Sequence, residues 1–368
     1  MRIVPLVFRR VKIGIVGCGR VIERYEPMLQ RARMLDIASC ADLDEARARA
    51  VADVFGARAL APDQLITSDV AIVLNLTPPA AHAEVARAAL EAGKHVYSEK
   101  PLAITREDGR ALVELARAKG VRLGCAPDTF LGPAWQTARA LVDEGAIGEP
   151  VAARATMLSR GHEHWHSDPA FFYRPGGGPL LDMGPYYLTV LVMVLGPVRR
   201  VTAAARASFP ERTISYPARA GERIAVGTPT HVTGSLEFAS GVLATITTSF
   251  DVYAIEHAID LFGSDGSMLL DDPNEFDGAV RVARAWEEPR SHIATWSVPG
   301  RGVGLADFVD AITDGRPHRA SDALAFHVLD VMLALLESAD RGARVEIEST
   351  CARPEPLRAG EVDAWLAR

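Results

Sequence analysis

Residues 12–125 alternate short apolar runs with helix-forming stretches, and few folds accept that rhythm. Runs at 12–16, 37–41, 70–76, 95–98 and 121–125 read as strands, while the stretches running from Gly19 towards Arg33 and at 44–55, 79–92 and 103–119 read as helices. Gly56, Gly93 and Gly120 stand where three of those helices should stop. The run VAIVLNL at 70–76 is apolar on both faces, so both must be covered, as in the middle of a parallel sheet. Alternation of this kind specifies a doubly wound α/β domain.

After about residue 125 the texture changes. A helix at 134–144 leads to strand-like segments at 151–158, 198–205, 231–238, 242–250 and 258–262. Turn signals such as Ser240-Gly241 and GSDGS at 263–267 separate several of them, the pattern of an antiparallel sheet with hairpins. Helical segments at 304–313 and 321–339 follow. A chain of 368 residues is too long for one ordinary core. We therefore expect two domains, 1–125 and 126–368, of α/β and α+β class. With no repeat or low-complexity linker between them, they should share a firm interface.

Composition narrows the function. A net charge of −7 gives no reason to expect nucleic acid or an anionic membrane as the main partner. Cys18, Cys40, Cys125 and Cys351 are far apart and lack metal-ligand spacing, so they read as reduced thiols. The N-terminal stretch MRIVPLVFRR has a short apolar run broken by Arg9 and Arg10 and no small-residue cleavage site, unlike a signal peptide. No uninterrupted apolar run reaches the ~20 residues that cross a bilayer; the longest, 186–196, suits a buried helix. A cytoplasmic protein is expected.

Three segments just past strands carry chemistry. The first is Gly17-Cys18-Gly19-Arg20-Val21-Ile22, between a strand and a helix. Gly17 allows a tight turn, and Gly19 lets a pyrophosphate approach the backbone at a helix N-terminus. Ile22 occupies the place of the third fingerprint glycine. Asp42 ends the second strand 23 residues after Gly19, where a carboxylate can accept hydrogen bonds from an adenosine ribose. Its structural alternative is to cap the next helix. Asp42 would repel a 2′-phosphate, which favours NAD over NADP, although Arg20 or Arg47 could offset that repulsion.

The second segment is Asn75-Leu76-Thr77-Pro78-Pro79 with His82 following, in the crevice where a doubly wound fold binds its ligand. It reads equally as a rigid loop. The third is Glu99-Lys100-Pro101, where a lysine can place an ammonium against a reacting oxygen or simply be solvated.

VGCGRVIERY, CADLDEARA, NLTPPAAHAEVARAALEAGKHVYSEKPLA and GGGPLLDMGPYYLTVL occur in that order. Together they resemble the glucose–fructose oxidoreductase / inositol dehydrogenase / rhizopine catabolism (Gfo/Idh/MocA) family over nearly the whole chain. The resemblance implies an N-terminal Rossmann domain and a C-terminal domain with an open, mainly antiparallel sheet through which homodimers or homotetramers form. It also implies pyridine-nucleotide chemistry, NAD or NADP, on sugar-like or cyclitol-like substrates. Cofactor contacts then fall on Gly17, Gly19, Arg20, Val21, Ile22, Asp42, Asn75, Thr77, Pro78, His82, Glu99 and Lys100. Lys100 matches a catalytic lysine. The position of Asp182 is commonly paired with a histidine four residues later, where this chain has Tyr186. That tyrosine resembles the glucose–fructose oxidoreductase and dihydrodiol dehydrogenase branches, in which it donates or accepts the proton.

An ammonium nearby favours a phenolate, so Lys100 is expected to lower the Tyr186 pKa. Asp182 and Tyr186 share a face if their helix is continuous, but Pro185 suggests a kink or a helix start. The structural alternative makes Tyr186 and Tyr187 core aromatics. In the His162-Glu163-His164-Trp165-His166 cluster, alternating histidines on a strand could bind metal, or the segment could be a loop contacting substrate. We expect the loop and no metal, with His162, His164, Trp165, Tyr173 and Arg174 as substrate contacts. Two other classes stay open: an NAD-dependent glycosidase with transient oxidation, and a non-catalytic nucleotide-binding regulator.

Overall fold

The computed structural model describes residues 10–284 and 286–367. The N-terminal residues 1–9, read above for targeting, lie outside the described residues. The first unit runs β1 (Val11–Val16), α1 (Ile22–Arg31), β2 (Leu35–Ala41), α2 (Glu45–Phe55), β3 (Arg58–Leu60), α3 (Pro62–Thr67), β4 (Ile72–Asn75), α4 (His82–Glu91), β5 (His95–Ser98), α5 (Arg106–Lys119) and β6 (Leu123–Cys125). Its strands are parallel, in the order β3-β2-β1-β4-β5-β6. The direction of winding reverses between β1 and β4, which opens a crevice beyond their carboxyl ends.

Local chemistry sets the helix limits. Asp44 accepts from the Ala46 N–H at 3.0 Å and starts α2, and Gly56 ends it in a left-handed conformation at φ 63°. Thr105 accepts from the Asp108 N–H, so α5 begins three residues later than its apolar pattern predicts. Neither β3 nor α3 is visible in the sequence pattern, because each is too short to show a period.

The second unit contains α6 (Pro133–Asp143), β7 (Pro150–Leu158), α7 (Gly178–Leu195), β8 (Val198–Arg206), β9 (Glu211–Thr213), β10 (Arg223–Ala225), β11 (His231–Phe238), β12 (Leu243–Ser249), β13 (Glu256–Gly263), β14 (Gly266–Leu270), β15 (Val280–Arg284) and β16 (Arg290–His292). After these come α8 (Val303–Asp314), α9 (Asp322–Arg341), β17 (Val345–Glu346) and α10 (Ala359–Ala367). Nine strands form one sheet in the order β16-β15-β14-β13-β7-β12-β11-β8-β17, while β9 and β10 pair separately. All its pairs are antiparallel except β7 with β12, so the sheet is mixed. Helices α7 and α9 cover one face, and the other leaves Thr233, Ser235 and Thr245 exposed.

Helix α7 positions the site. Its start is crowded: a Cβ on Gly178 would stand 2.7 Å from the Pro229 carbonyl oxygen, and φ there is +85°. The helix continues through Pro185 to Leu195, so of the kink or helix start expected at that proline the start is ruled out. By length and composition α7 could cross a membrane, but 94% of it is buried inside the protein. The two units are tied together at the far end of the chain. Cys125 donates its N–H to the Ala320 carbonyl at 3.1 Å, and Phe308 of α8 packs edge-on against Tyr97 of β5.

Candidate active site

At the nucleotide end of the crevice, Gly17 has φ +96°, and a Cβ there would stand 2.6 Å from the Leu76 carbonyl carbon. Only glycine can make that turn between β1 and α1 so close to the backbone that follows β4. Above Gly19, by contrast, no described atom outside its immediate chain neighbours lies within 4 Å of where a Cβ would be. That open space leads to the start of α1, where the Ile22, Glu23 and Arg24 N–H groups close tight turns onto the Gly19, Arg20 and Val21 carbonyls. Asp42 accepts from the Cys18 N–H at 2.8 Å and from the Asp44 N–H at 2.9 Å. One bond to each oxygen leaves acceptor capacity for ribose hydroxyls. Asp44, not Asp42, caps α2, and the Arg47 guanidinium pairs with Asp44 at 3.3 Å. The Arg20 guanidinium lies 5.9 Å from the Trp165 ring centroid. Val21 and Ile22 begin α1, with Ile22 buried beneath it. An adenine dinucleotide fits this cradle.

The next wall is held by its own side chains. Asn75 donates to the His82 carbonyl at 3.1 Å and accepts from the Thr77 hydroxyl at 2.7 Å. The His82 ring lies 2.7 Å from both the Pro101 and Thr77 carbonyls, joining this loop to the Lys100 segment. Burial holds its pKa below the ordinary histidine value. Pro78 lines the cleft beside Pro79.

Lys100 follows β5 and reaches across to α7. Its Nζ donates to Asp182 Oδ1 at 2.8 Å and to the Asp182 carbonyl at 2.5 Å. Burial works against the ammonium, but Asp182, Tyr186 and Glu99 outweigh it and raise the pKa above the ordinary lysine value. Burial likewise opposes the Asp182 carboxylate, yet Lys100 and His162 hold it far below the usual range. The pair is therefore an ion pair, with side chains only 13% and 16% exposed.

Tyr186 lies one helical turn from Asp182, with Lys100 Nζ 5.0 Å from its ring centroid and the Arg301 guanidinium 5.4 Å away. The expectation of a lowered phenol pKa fails. Burial raises it, and the two cations only partly offset that effect. Glu99 turns inward: it accepts from Tyr25 at 2.7 Å and from the Lys100 N–H at 3.0 Å, and Arg301 approaches it at 3.5 Å.

The histidine cluster lies in the loop after β7 and not on a strand, so its side chains do not alternate across a sheet. His162 is buried and meets Asp182 Oδ2 at 3.1 Å. His164 and Trp165 are exposed. Tyr173 is not a cleft contact: it is fully buried and its hydroxyl donates to Glu163 at 2.6 Å. Glu163 in turn pairs with Arg212, which also bonds Asp251 at 2.8 Å, so the sequence reading mistook a scaffold for a substrate contact. Arg174 is exposed at the rim of a cleft of about 620 Å³, open to solvent and lined also by Pro78, Pro101, Ile104, Phe171 and Asp182. Arg301, Tyr25, Ile104 and Phe171 were missed. Tyr25 ends the glycine-turn segment but carries no spacing signal of its own, and Arg301, Ile104 and Phe171 lie outside the motifs, so only tertiary folding brings them here.

The family model described as an oxidoreductase family with an NAD-binding Rossmann fold matches residues 11–126, and the GFO/IDH/MocA C-terminal domain matches 135–269. The chain is 31% identical over 296 residues to the dTDP-3,4-didehydro-2,6-dideoxy-alpha-D-glucose 3-reductase of Streptomyces violaceoruber, covering 77% of this chain and 76% of that protein. It is 30% identical over 344 residues to the 1,5-anhydro-D-fructose reductase of Ensifer adhaerens, covering 91% and 98% respectively. In fold it is similar to levoglucosan dehydrogenase in complex with NADH and L-sorbose, with TM-score 0.80, 24% identity and coverage of 92% and 99%. With the glycine turn, the Lys100–Asp182 pair and both matched domains in place, this chain belongs to the GFO/IDH/MocA family of oxidoreductases.

Proposed function

We propose that this enzyme interconverts a secondary alcohol and its ketone on a sugar-like or cyclitol-like ring, with NAD(H) as the preferred cofactor. The observation that carries the reading is the largely buried Lys100–Asp182 ion pair beside Tyr186, at the crevice where the glycine turn would place a dinucleotide. Gly17, Gly19 and the start of α1 would hold the pyrophosphate, and Asp42 the adenosine ribose. When bound, the nicotinamide supplies or accepts the hydride.

The chain's own residues manage the proton. The Lys100 ammonium stabilises negative charge on the reacting oxygen, because one of its three donors can turn from Asp182 towards substrate. Tyr186 exchanges the hydroxyl proton, and Asp182 keeps Lys100 charged and aimed. Since burial raises the Tyr186 pKa, the phenol is held protonated and set to donate to a ketone being reduced. Oxidation needs its anion, so oxidation should speed up with rising pH while reduction stays flat near neutrality. Exposed Trp165 and Phe171 offer aromatic faces to the apolar side of a sugar ring, and Arg174 and His164 offer polar contacts at the rim. We also take the enzyme to be cytoplasmic and homo-oligomeric, dimer or tetramer, associating through the uncovered sheet face, with neither nucleic acid nor membrane as partner.

A panel of sugars, cyclitols and glycosides with NAD⁺ and with NADP⁺ tests this reading. Stoichiometric reduction of added NAD⁺ by a polyol supports it. Glycoside cleavage without net cofactor reduction, or nucleotide binding with no turnover, would replace it with a glycosidase or a regulator.

A further inference from the structure

We propose that His162 is a positioning residue: it fixes the Asp182 carboxylate so that only one of its oxygens is available to Lys100, and Trp165 sets the tautomer that lets it do so. The inference rests on the assignment of Lys100 to the reacting oxygen.

The argument starts from donors and acceptors. An indole nitrogen can only donate. Trp165 Nε1 lies 3.2 Å from His162 Nδ1, so that ring nitrogen must accept. The proton of the imidazole then sits on Nε2, which faces Asp182 Oδ2 at 3.1 Å and donates to it. Both ring nitrogens are committed to protein groups, which leaves His162 no free atom for a substrate hydroxyl.

The ring has little freedom to leave this arrangement. Its centroid is 4.0 Å from that of Phe172 and 4.6 Å from that of Phe250, and its side chain is only 11% exposed. Beneath it, Glu163, Arg212 and Tyr173 lock the loop. The guanidinium of Arg20, in the glycine turn, lies over the Trp165 ring at 5.9 Å from its centroid.

The consequence falls on Lys100. With Oδ2 occupied by His162, Asp182 offers Oδ1 to the ammonium at 2.8 Å; a second donor is on the Asp182 carbonyl at 2.5 Å, and the third is free to turn towards substrate. If His162 lost its donor, Asp182 could rotate and hold Lys100 with both oxygens. The ammonium would then be drawn away from the reacting oxygen, and small misplacements of a reacting group are costly.

Two measurements test this. In protein labelled with ¹⁵N-histidine, a long-range ¹H–¹⁵N correlation, assigned by loss of the signal in His162→Gln, should show the Nε2–H tautomer in the wild type and a mixture in Trp165→Phe. In turnover, His162→Phe should lower kcat about 10-fold with KM for NADH unchanged. His162→Gln, whose amide can still donate to Asp182, should recover most of it. An Nδ1–H tautomer in the wild type, a His162→Phe enzyme with wild-type kcat, or a His162→Gln enzyme as impaired as the Phe variant would each overturn the proposal. Should His162→Phe fail to fold, His162→Gln and Trp165→Phe carry the test: an intact Nε2–H preference in Trp165→Phe overturns it. A wild type inactive on every polyol would count against the oxidoreductase reading, while the tautomer measurement still decides this one.

Discussion

At the nucleotide end of the crevice, Gly17, Gly19 and Asp42 present backbone, open space and a carboxylate with spare acceptor capacity. At the chemical end, Lys100, Asp182 and His162 are joined by side-chain bonds and Lys100 stands over the buried Tyr186 ring, with the members drawn from three separate stretches of chain. The first is a cradle whose shape comes from local backbone geometry. The second is a network whose members depend on one another. Changes at the cradle should therefore act on affinity and remain local. Changes in the network should act on turnover and spread into stability.

The largest effect is expected at Lys100. Lys100→Met should lower turnover by about 10³-fold and cost about 3 kcal/mol of stability, because Asp182 loses its buried cation. Steady-state kinetics and urea unfolding measure the two effects. Lys100→Arg should restore the stability without the turnover, separating pairing from catalysis. Full turnover in a folded Lys100→Met enzyme would break the contrast between the two ends.

Behind the network, burial pushes the Asp128 carboxyl up to about 6, although it accepts from the Gly304 and Gly302 N–H groups. The native state then keeps a proton that the unfolded chain releases near pH 3.9. This contribution to stability is full below the unfolded pKa and is lost as pH rises through about 6. Asp128→Asn cannot ionise. The stability of the wild type relative to Asp128→Asn should fall by about 2 kcal/mol between pH 4.5 and 7.5. Urea titrations at the two pH values check this, and a constant difference would show that the site does not hold the proton.

The smallest of the three effects belongs to the cradle. Asp42→Ala should weaken NADH binding about 10-fold while improving NADPH binding, with kcat at saturating NADH nearly unchanged. Arg47 is already paired with Asp44, so it does little to offset Asp42. Tighter binding of NADPH than NADH by the wild type, seen by calorimetry, would contradict the proposed cofactor preference.

The same contrast explains what could be read from the sequence. Strand, glycine turn and acidic strand end are local, so the parallel sheet and the cradle show as spacing. The helix stops at Gly56 and Gly120 follow too, whereas the starts set by Asp44 and Thr105 do not: the apolar pattern begins α5 three residues early, and the cap of α2 is Asp44 and not Asp42. The network is not local. Arg301 lies 115 positions from Tyr186, in a segment without periodicity, yet the fold brings it 5.4 Å from that ring. Tyr173 beside an arginine and a glycine run looked like a substrate contact, but its burial depends on Glu163 and Arg212, which no spacing links to it. The Tyr186 pKa was misjudged for a related reason. The sequence shows the nearby cation, whereas desolvation is a property of the packed helix.

The central claim is that Tyr186 moves the substrate proton, and substitution at that one position tests it most directly. Turnover should be measured at saturating substrate and cofactor for the wild type, Tyr186→Phe and Tyr186→His. If Tyr186 carries the proton, Phe keeps the buried ring but lowers turnover by roughly 10²-fold, with cofactor affinity scarcely changed. His then recovers part of the loss, because imidazole exchanges the same proton. If the ring is only core, the ranking reverses: Phe is harmless, and His, smaller and polar, is the damaging change. Full activity in Tyr186→Phe would contradict the account.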